Sequence, residues 1–599
     1  MIQEQVKNLI KEALENLNIK IENIVLEHPA DLKMGDYSTN IAMTLAKNIK
    51  ANPKELAEKI VAVLRQAQND SLERIEAKNG FINFYLSRDF FTKSIEEILK
   101  KKESWGKSRI LSGKKVMIEY TQPNPFKPFH IGHLMSNAIG ESISRIFEFS
   151  GAKVIRANYQ GDIGPHVAKV IYGLFKFGLP DKNLSISAKA QYIGECYSKG
   201  SNLYDNDENA KKEIDEINQK IYNKSDEKIN QTYNWGRKIT LDAFEELYKL
   251  LGTKFDKYYF ESQMAPIGEK IVRENIGKIF EKSDGAIVFH GEKYDPKLHT
   301  RVFINSHGLP TYETKELGLT MVKFKKNNLF SKELDFSVVT TAIEQAEYMK
   351  VVQKAISIMH PNLEKRMKHI THGMMRIAHS IAHSIAHSIA RRSTAEGATA
   401  EGLASSIKMS SRKGNVVTGE SLIYDSMDII KEKISERKFS DKEKEEIAKI
   451  VGISALKYSI LKSSIGSDII FDFEKSISFE GDSGPYLQYT AVRANSILQK
   501  SKEFNSGNKN EIPKEITNLE KLLYQFPEII NHVYQEFAPH YISTYLTELA
   551  SAFNAFYGNT KILDNENKYI AHHLNIVKSF YQTMKNGLWL LGIETPERM

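Results

Sequence analysis

A chain of 599 residues is too long for one core and is expected to divide into roughly three to five domains. Its 41% apolar and 26% charged residues, with no apolar run long enough for a bilayer and no basic-then-apolar leader, read as a soluble protein without a membrane anchor. A single cysteine, Cys196, excludes an internal disulfide framework and a multi-cysteine zinc site, and the default compartment is a reducing cytoplasm; the formal charge of +8 permits an anionic partner without requiring one.

In chain order, Val6, Leu9, Ile10, Leu14 and Leu17 recur at helical spacing. Extended segments are expected at Ile19 to Leu26 and at Phe81 to Leu86. Between them Gly35-Asp36-Tyr37-Ser38-Thr39-Asn40 reads as a turn that starts another helix. A lysine-rich, Gly-containing link from Lys100 to Gly113 marks the first boundary. Lys115 to Tyr120 then reads as a buried strand, Thr121 to Phe129 as a proline-rich loop, Gly132-His133 to about Phe149 as a helix, and Ala152 to Tyr159 as a second strand. That is the spacing of a right-handed βαβ unit in a parallel sheet, where ligands sit at the carboxyl ends of the strands.

Residues 181–235 are polar and read as the start of an exposed helical insertion, extending to about 260, for which a solvated helical face is account enough. From about Tyr424 the pattern is helical almost to the end, interrupted by a loop at Ser506 to Pro513. One segment is anomalous: Ile377 to Ala390 repeats Ile-Ala-His-Ser in tandem and Ser393 to Gly402 is a near-repeat, together a low-complexity insert over 377–406. As a helix it would align His379, His383 and His387 on one face at a metal-chelating spacing. A tandem repeat generates that spacing unaided, so no metal site is assigned, and replication slippage or an assembly error accounts for the segment.

Two short signatures carry the chemistry. Pro128-Phe129-His130-Ile131-Gly132-His133 places two imidazoles at the opening of a helix, whose N-terminus favours phosphate and where each ring adds a donor. Gly132 leaves room for a nucleotide to approach the backbone. Histidines that merely cap a helix are the plain alternative. Far downstream stands Lys408-Met409-Ser410-Ser411-Arg412-Lys413-Gly414, a basic loop suited to a polyphosphate. Each is weak alone. Together, in this order, they resemble the ATP-handling signatures of class I aminoacyl-tRNA synthetases.

The flanks narrow the resemblance. Glu119-Tyr120-Thr121-Gln122-Pro123-Asn124-Pro125-Phe126-Lys127 before the first signature is similar to arginyl-tRNA synthetases. So are Asn158-Tyr159-Gln160-Gly161-Asp162-Ile163-Gly164, Gly308-Leu309-Pro310-Thr311-Tyr312 and the C-terminal third. The resemblance implies an α/β multidomain fold: a small α+β tRNA-contacting domain (1–110), a Rossmann-like parallel-sheet class I catalytic domain (111–425) and an all-α anticodon-binding domain (426–599). It implies ATP with Mg²⁺, L-arginine and tRNA(Arg) as ligands and a monomer as the working form. It also assigns residues. Phe129, His130, Gly132, His133, Met409, Ser410 and Ser411 would meet ATP, with Lys127, Lys408 and Lys413 as catalytic cations. Glu119, Asn124, Tyr312, Glu316 and Gln345 would hold arginine, whose guanidinium needs carboxylates and amide oxygens. Tyr37, Asn40, Tyr489, Arg493 and Asn554 would touch tRNA, while Phe553 and Tyr557, spaced i and i+4, read as helix-packing core.

Two departures stand out. Ser411 replaces the second lysine of the wider class pattern, a change some arginyl-tRNA synthetases share while carrying a lysine just before the first signature, here Lys127. Glu316 stands where the family usually has Asp. Another synthetase with the first signature, or a non-catalytic tRNA-binding paralogue, are the competing readings. The link into the Lys408 loop is roughly two dozen residues longer than such connections usually are. Deleting Ala378 to Ser405 and measuring adenylation separates the cases. A tolerated surface excursion leaves the rate unchanged, an insert that misplaces Lys408 gives a faster enzyme on deletion, and loss of folding makes the insert structural.

Overall fold

The computed structural model describes residues 2–21, 23–67, 69–325, 334–377, 418–502 and 511–599. The loop Lys408 to Gly414 and His379, His383 and His387 therefore lie outside the described residues. Among the described residues no helix is long and apolar enough to cross a membrane.

The N-terminal part packs α1 (Ile2–Asn16), α2 (Ile41–Ile49) and α3 (Pro53–Gln66) with an antiparallel sheet of β1 (Tyr37–Thr39), β3 (Phe81–Leu86) and β2 (Leu72–Lys78), in that spatial order. α1 buries Val6, Ile10, Ala13 and Leu14, as its spacing predicts. Two expectations are corrected. Ile19 to Leu26 is not a strand; Ile19, Ile21 and Ile24 lean on the core as irregular chain, and only Glu27 bridges to Ser38. Gly35 to Asn40 is not simply a turn, because Tyr37, Ser38 and Thr39 pair with β3 before Asn40 caps α2. The buried Tyr37 ring and the Thr39 hydroxyl, which donates to Val25 O at 2.6 Å, draw this stretch into the sheet.

α4 (Arg88–Lys101) leads into a five-stranded, wholly parallel sheet. Its strands are β4 (Lys115–Glu119), β5 (Lys153–Gln160), β6 (Lys257–Phe260), β10 (Phe336–Ala342) and β11 (Met367–His372), in the spatial order β11-β10-β4-β5-β6. β4 is central and buried at every position, as a strand covered on both faces must be. α5 (Ile131–Phe149) crosses between β4 and β5 and is buried along almost its whole length.

α6 (Pro165–Phe177) precedes the inserted helices α7 (Ile186–Asn206), α8 (Glu208–Asn223) and α9 (Glu227–Leu250). These are more than a solvated surface: Ile193, Cys196, Ile214, Ile217 and Ile229 close a core of their own against α6. β6 lies within the range expected for the insertion, yet it belongs to the main sheet, so the inserted helices end at Leu250. The sequence reading passes over a second, antiparallel sheet of β7 (Glu281–Ser283), β8 (Ala286–His290) and β9 (Thr300–Ile304).

The C-terminal part is built on helices Gly419–Lys433, Asp441–Leu461, Gly484–Ser501, Asn518–Leu523, Phe526–Glu536, His540–Asn559 and Ile570–Leu590. The helical pattern hides one strand, Ile469–Phe471, which pairs in parallel with Met375–Ile377. One apolar core runs from Val116, Ile131 and Ile143 into Leu456, Leu546 and Ile576, joining sheet and helices. The N-terminal part is clamped to the same helices. Glu520 takes Arg88 and, at 3.1 Å, His572; Glu528 accepts from Tyr37 at 2.5 Å and contacts His28 at 3.1 Å; Lys521 meets Asp36 at 3.3 Å.

α10 (Glu261–Glu274) and α11 (Tyr312–Phe324) cross at glycine contact. A Cβ on Gly268 would stand 1.9 Å from Thr314 O, and one on Gly318 2.4 Å from Met264 O. Gly268→Ala is expected to cost about 1–3 kcal/mol through overpacking. Thermal unfolding should show Tm lowered by several degrees, while Gly558→Ala, where a Cβ meets nothing, leaves Tm in place or raises it slightly.

Candidate active site

The site is organised by the passage from β4 into α5. Thr121, Gln122 and Phe126 take left-handed backbone conformations, with φ of 75°, 54° and 69°. Such residues persist only where neighbours hold them. Thr121 N donates to Ser136 Oγ at 3.0 Å, and Ser136 donates onward to Thr340 O at 3.0 Å. Asn137 reaches Thr121 Oγ1 at 3.0 Å, Gln160 reaches Pro123 O at 3.1 Å, and Phe126 N donates to Thr240 Oγ1 of α9 at 3.4 Å.

The loop delivers His130 to the N-cap of α5 and His133 to its first turn, and the two rings stack at 3.5 Å between centroids. His130 N donates to His133 Nδ1 at 3.2 Å, so the His133 proton sits on Nε2, free to be offered as a donor. Burial, then the Lys127 ammonium, then His372 hold the His130 imidazole down at about 4; burial, His130 and Lys127 hold His133 well below the usual range. Both rings are therefore neutral near pH 7 and can offer hydrogen bonds without carrying charge. Lys127 Nζ lies 5.2 Å from the centre of the Tyr197 ring and is the nearby positive charge. The described chain resumes at Thr418, four residues after Gly414. Thr418 bridges to His130, and Gly419 N donates to Phe129 O at 2.8 Å. Lys408, Met409, Ser410, Ser411 and Lys413 themselves lie outside the described residues.

Beyond the imidazoles is an acidic pocket. Glu119 closes β4 with no exposed surface and accepts from Gln122 Nε2 at 2.7 Å. Glu316, one turn after Tyr312 on α11, is buried nearby, and Lys323 of the same helix makes an ion pair with Glu119. Burial, with Glu119 and Glu261 adding repulsion, pushes Glu316 up to about 7 against the opposing pull of Lys323. Asn124 Oδ1 accepts from Gly161 N at 3.0 Å, and it converges there with Glu261: a Cβ on Gly161 would lie 2.7 Å from Asn124 Oδ1 and 3.0 Å from Glu261 Oε1. Tyr312 is 56% exposed at the start of α11, and Gln345 lies in the exposed turn Ile343–Gln345 after β10.

Several buried charges escape sequence reasoning. Lys315 Nζ meets Glu261 Oε2 at 2.7 Å with both side chains buried, and Lys315 lies 5.0 Å from the Tyr312 ring centre. Asp162 gathers Arg237 at 2.9 Å, Tyr233 at 3.1 Å, and Ser262 N and Oγ at 2.9 and 2.8 Å, tying the insertion to α10. His166 bonds Gly161 O at 2.9 Å. Asp162 lies within a quoted motif and Lys315 beside Glu316, but their partners are 54 to 100 residues distant in sequence, so the pairing itself was not legible.

Of the residues read as tRNA contacts, Tyr37 is corrected: it is wholly buried and its hydroxyl is spent on Glu528, which makes it a strut between domains. Asn40 is exposed. Arg493 Nη1 donates to Asn554 Oδ1 at 2.8 Å, with the guanidinium 4.9 Å from the Tyr489 ring centre and 5.7 Å from that of Tyr557. Phe553 is core, stacked on Phe580 at 4.0 Å, whereas Tyr557 is 44% exposed and so is not the core residue its spacing suggests.

Comparison with known proteins decides the family. Residues 94–381 match the model for the class I (R) tRNA synthetase catalytic domain, 487–599 the DALR anticodon binding domain and 4–86 the arginyl tRNA synthetase N terminal domain. The arginine–tRNA ligase of Borrelia hermsii is 30% identical over 622 residues, covering 100% of this chain and 99% of its own. The chain belongs to the arginyl-tRNA synthetase family. Its enzymatic activity is accordingly that of an arginine–tRNA ligase, with ATP as a substrate. The Clostridium perfringens arginine–tRNA ligase is likewise 30% identical, over 99% of this chain and 100% of its own. The arginyl-tRNA synthetase structures from Thermus thermophilus and Plasmodium falciparum share the fold, with TM-scores of 0.79 and 0.76 at 22% identity, each over 100% of this chain and 100% and 99% of their own.

For an arginyl-tRNA synthetase the acidic pocket carries a pH signature. Were Glu316 to meet the guanidinium of arginine, only its ionised form would attract it, and burial pushes this carboxyl up to about 7. The KM for arginine should fall as pH rises from about 6 to 8, and Glu316→Gln should raise KM and abolish this dependence. Initial rates of tRNA charging across that range check it; a KM that stays flat in the parent enzyme removes Glu316 from the pocket.

Proposed function

We propose that the two halves of this site divide the substrates between them: the imidazole pair takes the ATP phosphates and the buried carboxylates take the arginine side chain. The observation that carries the reading is their juxtaposition on one short passage, with Glu119 at the end of β4 and His130 and His133 where α5 begins. Glu119 and Glu316 meet the guanidinium, Asn124 holds the amino-acid end, and Tyr312 and Gln345 close the rim. An arginine carboxylate oxygen attacks the α-phosphorus as the bond to pyrophosphate breaks. The 2′-hydroxyl of the terminal tRNA adenosine then attacks the acyl carbon and AMP leaves. Such chemistry asks mainly for positioning and for donors where charge develops. His130 and His133, being neutral, provide donors without adding charge to the resting site.

Lys127 takes the role vacated at Ser411, and Lys408 and Lys413 act with it on the pyrophosphate. Mg²⁺ enters as the counter-ion carried on the triphosphate. tRNA is bound by Asn40 at one end and by the Tyr489, Arg493 and Asn554 cluster at the other, and it must be in place before adenylation. The working form is a monomer in the cytoplasm.

Pyrophosphate exchange across the twenty amino acids, with and without tRNA, tests the reading. Exchange is expected only with arginine and tRNA(Arg) together; tRNA binding without exchange would mean a non-catalytic paralogue. Lys127→Ala should slow exchange by about one to two decades, the worth of a charge-assisted contact made in the transition state. A rate equal to the parent's would remove Lys127 from the chemistry.

A further inference from the structure

Lys323 belongs to no motif. It lies two turns beyond Glu316 on α11, is 3% exposed, and pairs with Glu119 at the carboxyl end of β4. On its other side is a cavity of about 20 Å³, room for no more than one water, lined mainly by Thr320, Phe324, Val339, Met349 and Val352, with Gln353 and the exposed Lys368 of β11 at its edge. Burying an ammonium at such a place is costly, and a methionine of similar reach would fill the space without that cost. Packing alone does not call for a lysine.

The surrounding charges say what it does. Glu119 comes from β4, Glu261 from the start of α10, and Glu316 and Lys323 from α11; Lys315, also on α11, is committed to Glu261 at 2.7 Å. Tyr159 of β5, Tyr259 of β6 and Tyr348 of α12 (Ala346–Met359) complete the ring, and burial pushes the Tyr159 and Tyr348 hydroxyls well above their usual range. Three carboxylates and two ammoniums leave one negative charge. That is the complement of one guanidinium.

We propose that Lys323 is a positioning residue for the amino-acid substrate, holding Glu119 in place so that Glu119 and Glu316 present a single net negative charge to an incoming guanidinium. The inference rests on the arginine reading of the pocket and adds to it a residue that never touches the substrate. Without Lys323, Glu119 and Glu316 would face each other with no cation between them, and one would hold a proton to higher pH.

The test is tRNA charging by the full-length chain carrying Lys323→Met or Lys323→Arg, with KM and kcat for arginine measured from about pH 6 to 9. In Lys323→Met the pH at which KM levels off should move up by at least about one unit, KM at pH 7 should rise about tenfold or more, and kcat at saturating arginine should stay within about threefold. Lys323→Arg, which keeps the charge, should keep the parent's profile. A Lys323→Met profile equal to the parent's overturns the proposal, and so does equal displacement in both variants, which would mean that only packing was lost. If Lys323→Met does not fold, Lys323→Arg alone decides: a profile displaced by about one unit or more overturns the proposal, whatever happens to Tm. A parent chain that charges tRNA with another amino acid ends the arginine reading itself. A parent that uses arginine, beside an unaltered Lys323→Met, ends only this inference.

Discussion

The strained turn between β4 and α5 is the constraint on which the site depends. A left-handed conformation at Thr121, Gln122 and Phe126 costs of the order of 1–3 kcal/mol at each residue. In return, a dozen or so residues of chain bring a buried carboxylate and two stacked imidazoles to the same end of the sheet. The strain is held from several directions: from α5 through Ser136 and Asn137, from β5 through Gln160, and from the insertion through Thr240. The inserted helices are thus a brace for the catalytic loop as well as a surface. Their second tie, through Arg237 and Tyr233 to Asp162, fixes them to the head of α10, whose glycine crossing positions α11 and with it Glu316.

The two halves of the site treat charge in opposite ways. Around His130 and His133, burial and a nearby ammonium keep the imidazoles neutral, so their contribution is directional. Around Glu119 and Glu316, charge is retained at a cost and balanced by buried lysines. A polyphosphate that arrives with its own counter-ions needs aimed donors. A guanidinium needs a compensating charge.

Much of this was legible in the sequence wherever a local pattern carries the information. The β4–α5–β5 unit, the helix opened by His130 and the helical C-terminal part all follow from period and punctuation. Resemblance singled out Glu119 and Glu316; in the structure both are buried, and Glu119 pairs with a lysine that resemblance did not name. What stayed hidden depends on distant partners. Tyr37 reads as a surface aromatic in a turn until Glu528 is seen beside it. The strand Ile469–Phe471 hides in a helical region because its pairing partner, Met375–Ile377, is nearly a hundred residues upstream. Ile19 to Leu26 has the composition of a strand, but none of its described residues joins a ladder, and the bridge to Ser38 comes from Glu27, just beyond it.

The apolar core that runs without a break from Val116 to Ile576 has a further consequence. α5 is covered by the sheet on one side and by the C-terminal helices on the other, so neither half owns a complete hydrophobic interior. Cutting the chain between them would expose the back of α5 and the inner faces of Asp441–Leu461 and Ile570–Leu590 together. The parallel sheet and the C-terminal helices therefore share one hydrophobic interior, with α5 as the element common to both.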